Sequence, residues 1–228
     1  PEQPADIGRA AYLRAVELPP DVDPGLEVTE TFDPVSCAWP YGLIVAVVEI
    51  DTETCLTADG EPIHVPRAST MVDYEGELAI VIGRPAKHVS KENALDYVAG
   101  YTICNDVSER EWQHKRMGQW QKGKACDGFG PLGPWLVTTD EIKDPQTLPI
   151  WLEVNGHRYQ NGNTKDMIFD CAFLISYLSD FFTLQPGDVI ATGTPAGVGG
   201  AIKPNPVFLK PGDVVTVGIG GLSKQVTE

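Results

Sequence analysis

The sequence predicts a β-rich α+β fold, a rolled or sandwiched sheet carrying a few short helices. Three observations lead there. The apolar, partly β-branched runs are short. Turn residues are frequent, with 23 glycines and 19 prolines among 228 residues. Few stretches show helical spacing.

Taken in order, the Pro- and acid-rich segment Glu17 to Pro34 reads as loop or linker, so residues 1–34 form an N-terminal segment or small subdomain and 35–228 the main domain. Leu43-Ile-Val-Ala-Val-Val48 is the longest apolar run and far too short for a membrane span. Leu78 to Ile82 is a strand ended by Gly83. Ser90 to Gly100 reads as a helix: Ser90 caps it, Asn93 stands where a capping box prefers Glu or Gln, Leu95, Val98 and Ala99 form the apolar face, and Gly100 stops it. Tyr101-Thr-Ile-Cys104 is a short buried strand. Ile150 to Val154 alternates partly and ends at Asn155-Gly156, a hairpin signal. Asp170 to Phe182 is helical, and its stripe of Phe173, Leu174, Tyr177, Leu178 and Phe181 reads as core. Leu184 to Asp188 is a turn before strand Val189 to Thr192, and Phe208 to Asp213 a turn before strand Val214 to Ile219.

Composition excludes several functions. The formal charge is −15, with 17 Lys and Arg against 32 Asp and Glu. Such a chain is a poor ligand for nucleic acid or for anionic membrane surfaces. Its cysteines, Cys37, Cys55, Cys104, Cys126 and Cys171, are odd in number and widely spaced. They suit free thiols in the cytoplasm or another reducing compartment. No signal peptide is visible, and the absence of an initiator Met suggests trimmed ends.

The chemistry begins at the mouth of the strand Leu78 to Ile82. Glu75 and Glu77 are two residues apart, so a strand puts both on one face, where they repel. A hard divalent cation with a taste for oxygen ligands would offset that. The competing reading is a pair of solvated rim glutamates on an acidic protein. Asp106 follows the strand Tyr101 to Cys104, and a strand–helix–strand unit could bring it to the same place. Three carboxylates around one cation leave positions for water and substrate.

These stretches resemble the fumarylacetoacetate hydrolase (FAH) family, which acts on 2-oxo and diketo acids. The resemblance runs from about Leu56 to Ser223. It rests on Asp73-Tyr-Glu-Gly-Glu-Leu-Ala-Ile-Val-Ile-Gly83, Tyr97-Val-Ala-Gly-Tyr-Thr-Ile-Cys-Asn-Asp-Val-Ser108 and Gly128-Phe-Gly-Pro-Leu-Gly-Pro-Trp135. Asn163-Thr-Lys-Asp-Met-Ile-Phe169 and Pro186-Gly-Asp-Val-Ile-Ala-Thr-Gly-Thr-Pro-Ala-Gly-Val-Gly199 follow in the family's order. The resemblance implies a mixed β-sandwich roll of the FAH C-terminal-domain type over 35–228, a homodimer, and Mg2+ or Mn2+ held by Glu75, Glu77 and Asp106. It also implies that Arg110 and Gln113 line the substrate pocket, that Lys124 is the active-site lysine, and that Thr194 contacts the substrate carboxylate. An ammonium and a nearby hydroxyl suit a developing enolate or oxyanion. Read without the family, Lys124 and Arg110 are surface charges and Thr194 a turn hydroxyl.

Other residues were weighed. Gly118-Gln-Trp-Gln-Lys-Gly-Lys124 has P-loop spacing, but Ala125 replaces the hydroxyl residue, no apolar strand precedes it and no helical pattern follows. Cys126 lies near Lys124 but has no histidine beside it in sequence. His114 follows Gln113 and could act as a local acid or base, its ordinary pKa being near neutrality. Trp39, Trp120 and Phe129 stand as interface candidates not distinguished from core.

The chain also departs from the family. Many members carry a Gly-Leu-Asn-Tyr-type turn and then a His and Glu on a mobile lid before the first glutamate strand. Here Val35 to Asp51 contains no histidine, and Asp51 stands where many relatives have lysine. Without a lid, oxaloacetate-type decarboxylation or keto–enol tautomerisation through a metal-bound enolate is favoured. With a mobile lid segment that is merely missing from this sequence, C–C hydrolysis of an acylpyruvate comes first. The alternative class is a non-catalytic, metal-binding family member acting as a binding or scaffold protein.

Overall fold

The computed structural model describes residues 60–228. The expected N-terminal segment, the run Leu43–Val48, the stretch Val35–Asp51, Trp39, Cys37 and Cys55 lie outside the described residues.

The described chain holds β1 (Val72–Asp73), β2 (Gly76–Ile82), β3 (Val98–Asn105), β4 (Ser108–Glu109), α1 (Arg110–Lys115), β5 (Leu132–Thr138), β6 (Pro149–Val154), β7 (His157–Asn163), α2 (Cys171–Phe181), β8 (Val189–Ala191), β9 (Val215–Ile219) and β10 (Ser223–Thr227). Two antiparallel four-stranded sheets form, ordered β5-β3-β2-β8 and β10-β9-β6-β7, with β1 and β4 as a two-stranded ribbon. This is the expected β-rich α+β architecture with few short helices.

The alternation of β2 explains where core and site lie. Leu78, Ile80 and Ile82 share a buried cluster with Ile150, Leu152, Val215, Val217 and Ile219 of the other sheet. Ala79 belongs to a separate cluster with Cys104 and Val189. Both faces of β2 are therefore buried, and its sequence reads as an unbroken apolar run. Glu77 has the parity of Ala79 and pairs with Cys104 of β3. The acidic end of the strand thus belongs to the face turned away from the inter-sheet core.

The segment Ser90 to Gly100 differs from expectation. A 3-10 turn covers Lys91–Tyr97, Ser90 makes no side-chain cap bond to it, and its buried member is Ala94. Leu95 is exposed, while Val98 and Ala99 already belong to β3. Seven residues give too little helix to outweigh the ladder that β3 forms with β2. Gly100 is not a helix stop. A Cβ there would lie 2.4 Å from the Val137 carbonyl of β5, so the neighbouring strand demands glycine.

The hairpin stands as expected: β6 and β7 flank Asn155 and Gly156, whose φ angles of 51° and 78° suit a two-residue type I′ turn. In α2, Asp170 caps the helix by accepting from the Phe173 N–H at 2.7 Å. The stripe divides. Leu174 and Leu178 are core, joined by Cys171 and Ile175. Phe169, Phe173, Tyr177 and Phe181 instead form a row of ring contacts along a neighbouring face, with Phe181 64% exposed. Residues four apart drift around a 3.6-residue helix, and Ile175 fills the core side they leave. Phe129, an interface candidate not distinguished from core by sequence, is buried within the chain and packed with Val72 and Val107. No helix among the described residues is long and apolar enough to cross a membrane.

Candidate active site

Glu75 precedes β2 and is held by its backbone: its N–H donates to Asn105 Oδ1 at 3.0 Å and its carbonyl accepts from the Asp106 N–H at 2.8 Å. That pairing brings the end of β3 against the start of β2. As a result, Glu75, Glu77 and Asp106 each offer an oxygen within 4.8 Å of the others.

Two cations enter from the following segments. Arg110 opens α1, where Glu109 caps the Trp112 N–H at 2.5 Å. Each nitrogen of the Arg110 guanidinium donates once: Nε to Asp73 at 2.8 Å, Nη2 to Glu75 Oε1 at 2.6 Å and Nη1 to Gln113 Oε1 at 3.0 Å. Lys124 follows the 3-10 turn Trp120–Gly123 and bridges two carboxylates, Glu75 Oε2 at 2.8 Å and Asp106 Oδ2 at 2.5 Å. Both side chains are buried at the site, so neither is the solvated surface charge that residue type alone suggests.

Electrostatics follow from this packing. Burial raises the Glu75 carboxyl, but Lys124 and Arg110 outweigh it and hold the group below its ordinary value. Glu77 goes the other way: burial first, then the charges of Asp106 and Glu75, push it well above the carboxylate range. Asp106 is also raised, by burial and Glu75 against the opposing pull of Lys124. Lys124 is held above its usual value because Asp106 and Glu75 outweigh its desolvation.

A strap after β8 closes the site. The Gly193 N–H donates to Glu77 Oε2 at 2.8 Å. Thr194 Oγ1 donates to the Gly76 carbonyl at 3.0 Å and accepts from Gln160 Nε2 at 2.8 Å. Farther on, the N–H groups of Gly199 and Gly200 donate to Asp73 at 2.7 and 2.9 Å. A Cβ at Gly199 would lie 1.8 Å from the Val207 carbonyl, so only glycine fits that approach.

Glu75, Glu77, Asp106, Arg110, Gln113 and Lys124 therefore converge, with Thr194 joined through Gly76. His114 is exposed, edge-on to Trp120 at 5.8 Å between centroids. Burial and the Arg110 charge lower its pKa. Cys126 is no activated thiol: burial and then Glu109 push it up to about 11. The P-loop reading fails because Lys124 is committed to carboxylates. Asp73 and Gln160 were not singled out from sequence, although Asp73 stands first in the motif that carries Glu75 and Glu77.

The donor set fits a hard divalent cation. Four carboxylates, Asp73, Glu75, Glu77 and Asp106, face the two cationic side chains Arg110 and Lys124. A doubly charged ion would balance the remainder, and every candidate ligand atom is an oxygen.

The fumarylacetoacetate (FAA) hydrolase C-terminal family profile matches residues 41–228. The chain belongs to the fumarylacetoacetate hydrolase family. Its similarity to solved members is substantial. The fumarylacetoacetate hydrolase from Exiguobacterium antarcticum superposes with a TM-score of 0.72 at 43% identity, over 75% of this chain and 61% of that one. The 2-hydroxyhepta-2,4-diene-1,7-dioate isomerase from Mycobacterium marinum gives 0.68 at 45% identity, over 75% and 63%. A Burkholderia multivorans protein with a provisional hydrolase name is 62% identical over 172 residues, 75% of this chain and 60% of its own length. The chain thus spans about three fifths of the length of the curated relatives it matches.

Proposed function

We propose that this chain carries the catalytic centre of a divalent-metal-dependent enzyme acting on 2-oxo diacids or β-diketo acids and their enols. The observation that carries the reading is the convergence of three carboxyl groups, Glu75, Glu77 and Asp106, beside Lys124 and Arg110. Glu75, Glu77 and Asp106 would hold Mg2+ or Mn2+. When bound, the ion supplies Lewis-acid polarisation of the 2-oxo group.

The chain's own residues then have separate tasks. Lys124, already inside the cluster, faces negative charge that develops on a substrate oxygen. Arg110 keeps Glu75 ionised and aimed, and Gln113 steadies Arg110 from α1. Thr194 borders the site beside Glu77 through the strap. The substrate class agrees with a neighbour named for a 2-hydroxyhepta-2,4-diene-1,7-dioate, which is the enol of a 2-oxo diacid. Isomerisation between enol and keto forms needs the cation and a nearby base to carry the proton between oxygen and carbon. Acylpyruvate C–C hydrolysis needs an activated water as well, and oxaloacetate-type decarboxylation ends in the same kind of enol. The reading includes a homodimer in solution, checked by sedimentation.

The test follows the ultraviolet absorbance of enols of oxaloacetate and several acylpyruvates, with Mg2+ and then with EDTA. Turnover that EDTA abolishes is expected, and the preferred compound names the branch. Absence of turnover with Mg2+ binding intact would overturn catalysis and leave a metal-binding scaffold.

A further inference from the structure

The two cations inside the carboxylate cluster are already engaged. Arg110 pairs with Asp73 and Glu75, and Lys124 with Glu75 and Asp106. A diacid that approaches the site therefore needs positive charge from another source. A chain of net charge −15 repels it over most of its surface.

The segment between Gln113 and Lys124 is different. From Trp112 to Cys126, between Glu111 and Asp127, the sequence has no acidic residue. Lys115, Arg116 and Lys122 are exposed, and none of them forms an ion pair among the described residues. Both ends of the segment are fastened at the cluster, one by Gln113 on Arg110 and the other by Lys124. It also folds back on α1. The Trp120 ring meets His114 edge-on at 5.8 Å, and a Cβ at Gly123 would lie 2.8 Å from the Gln113 Cβ. Two of the cations are drawn together: Lys122 Nζ donates to the Arg116 carbonyl at 3.4 Å, and the Arg116 guanidinium lies 5.0 Å from the centre of the Trp112 ring. The loop is within reach of the cluster's field. Burial lowers the His114 pKa first, and Arg110 and Lys124 add to that against the pull of Glu75. A run of exposed charge is ordinarily a solvated face. This one is fastened to the site at both ends and lacks ion-pair partners in a chain with 32 acidic residues.

We propose that Lys115, Arg116 and Lys122 form a positive collar beside the carboxylate cluster, which concentrates dianionic acids there and favours diacids over monoacids. The collar acts through its field and touches no ligand. The proposal rests on the reading of the site as one for 2-oxo acids and says which of them it selects. Coulomb attraction scales with ligand charge, so the fold-change for a dianion is the square of that for a monoanion.

Calorimetry with Mg2+ present compares 2-oxoglutarate, a dianion, with pyruvate, a monoanion. The proteins are the unaltered chain and a Lys115→Gln/Arg116→Gln/Lys122→Gln variant, whose exposed positions leave the core intact. At about 10 mM ionic strength, where charges act over about 30 Å, the variant is expected to bind 2-oxoglutarate about tenfold more weakly and pyruvate about threefold. In about 1 M salt that reach shrinks to about 3 Å, and the two proteins should bind each acid alike. A loss that persists undiminished in high salt would mean direct contact instead of a field. Equal losses for the two acids at low salt would mean that the collar does not select by charge. Equal affinities of the two proteins at low salt would leave the loop a solvated face. Each of these overturns the proposal and leaves the reading of the site standing. If the unaltered protein binds neither acid, that reading fails and this inference falls with it.

Discussion

Glu77 and Glu75 are two residues apart and titrate in opposite senses. Glu75 sits below its ordinary value, so its ion pairs stabilise the fold above the unfolded carboxylate pKa, and that contribution disappears as pH falls through the folded value. Glu77 sits well above, so the folded protein retains a proton that the unfolded chain has released. Its share of stability is present at low pH and declines as pH rises through the folded value. A cation that needs Glu77 ionised displaces that proton. Mg2+ affinity is therefore expected to rise with pH. Titrations in two buffers of different ionisation heat should show proton release on binding, and release that stays at zero at every pH tested would refute the assignment. Glu75→Gln combined with Glu77→Gln should lower Mg2+ affinity by at least about tenfold, since each removes a charged ligand.

At the scale of elements, Asp73 joins β1, α1 and the strap. It is fully buried and accepts from Arg110, Gly199 and Gly200. Asp73→Ala leaves a buried guanidinium short of a partner, a loss of about 3–5 kcal/mol by urea unfolding, whereas a loss under about 1 kcal/mol would show that the brace is redundant. The two faces of α2 offer an internal contrast. Leu178→Ala is expected to cost about 2–5 kcal/mol, and Phe181→Ala no more than about 0.5 kcal/mol; equal losses would mean that the aromatic row is covered in solution. Legibility also varied by element. β2, the β6–β7 turn and α2 were readable because apolar spacing, Asn-Gly and an Asp cap are local signals. The short helix between β2 and β3 was readable at Lys91–Tyr97, but its 3-10 winding was not, because 3-10 and α-helical turns share the same apolar cues. β7 carried no signal at all: His-Arg-Tyr-Gln-Asn-Gly-Asn is polar throughout, and the strand exists because the hairpin lays it against β6.

Across the whole molecule, the site was legible wherever its residues sit in motifs, which covers the three candidate ligands, Arg110, Gln113, Lys124 and Thr194. The residues that orient them were not. Asp73 and Gln160 act over 126 and 34 positions of chain, to Gly199 and Thr194, and such distances leave no mark in local spacing. The crowding of four carboxyl groups around two cations is likewise a property of the packed state. Residue type could suggest it only for the pair Glu75 and Glu77.

Gln160 belongs to one sheet and grips the start of β2, an inner strand of the other, through a fully buried amide. Sliding one sheet over the other by a single residue would unseat Thr194 at once. If the proposed activity holds, turnover and the order of the described domain are expected to vanish at one shared midpoint on heating, with near-ultraviolet dichroism and turnover tracing the same curve. Turnover lost well below the loss of dichroism would show that the site melts apart from the sandwich, and coincident loss that the proposed activity reports on how the two sheets are joined.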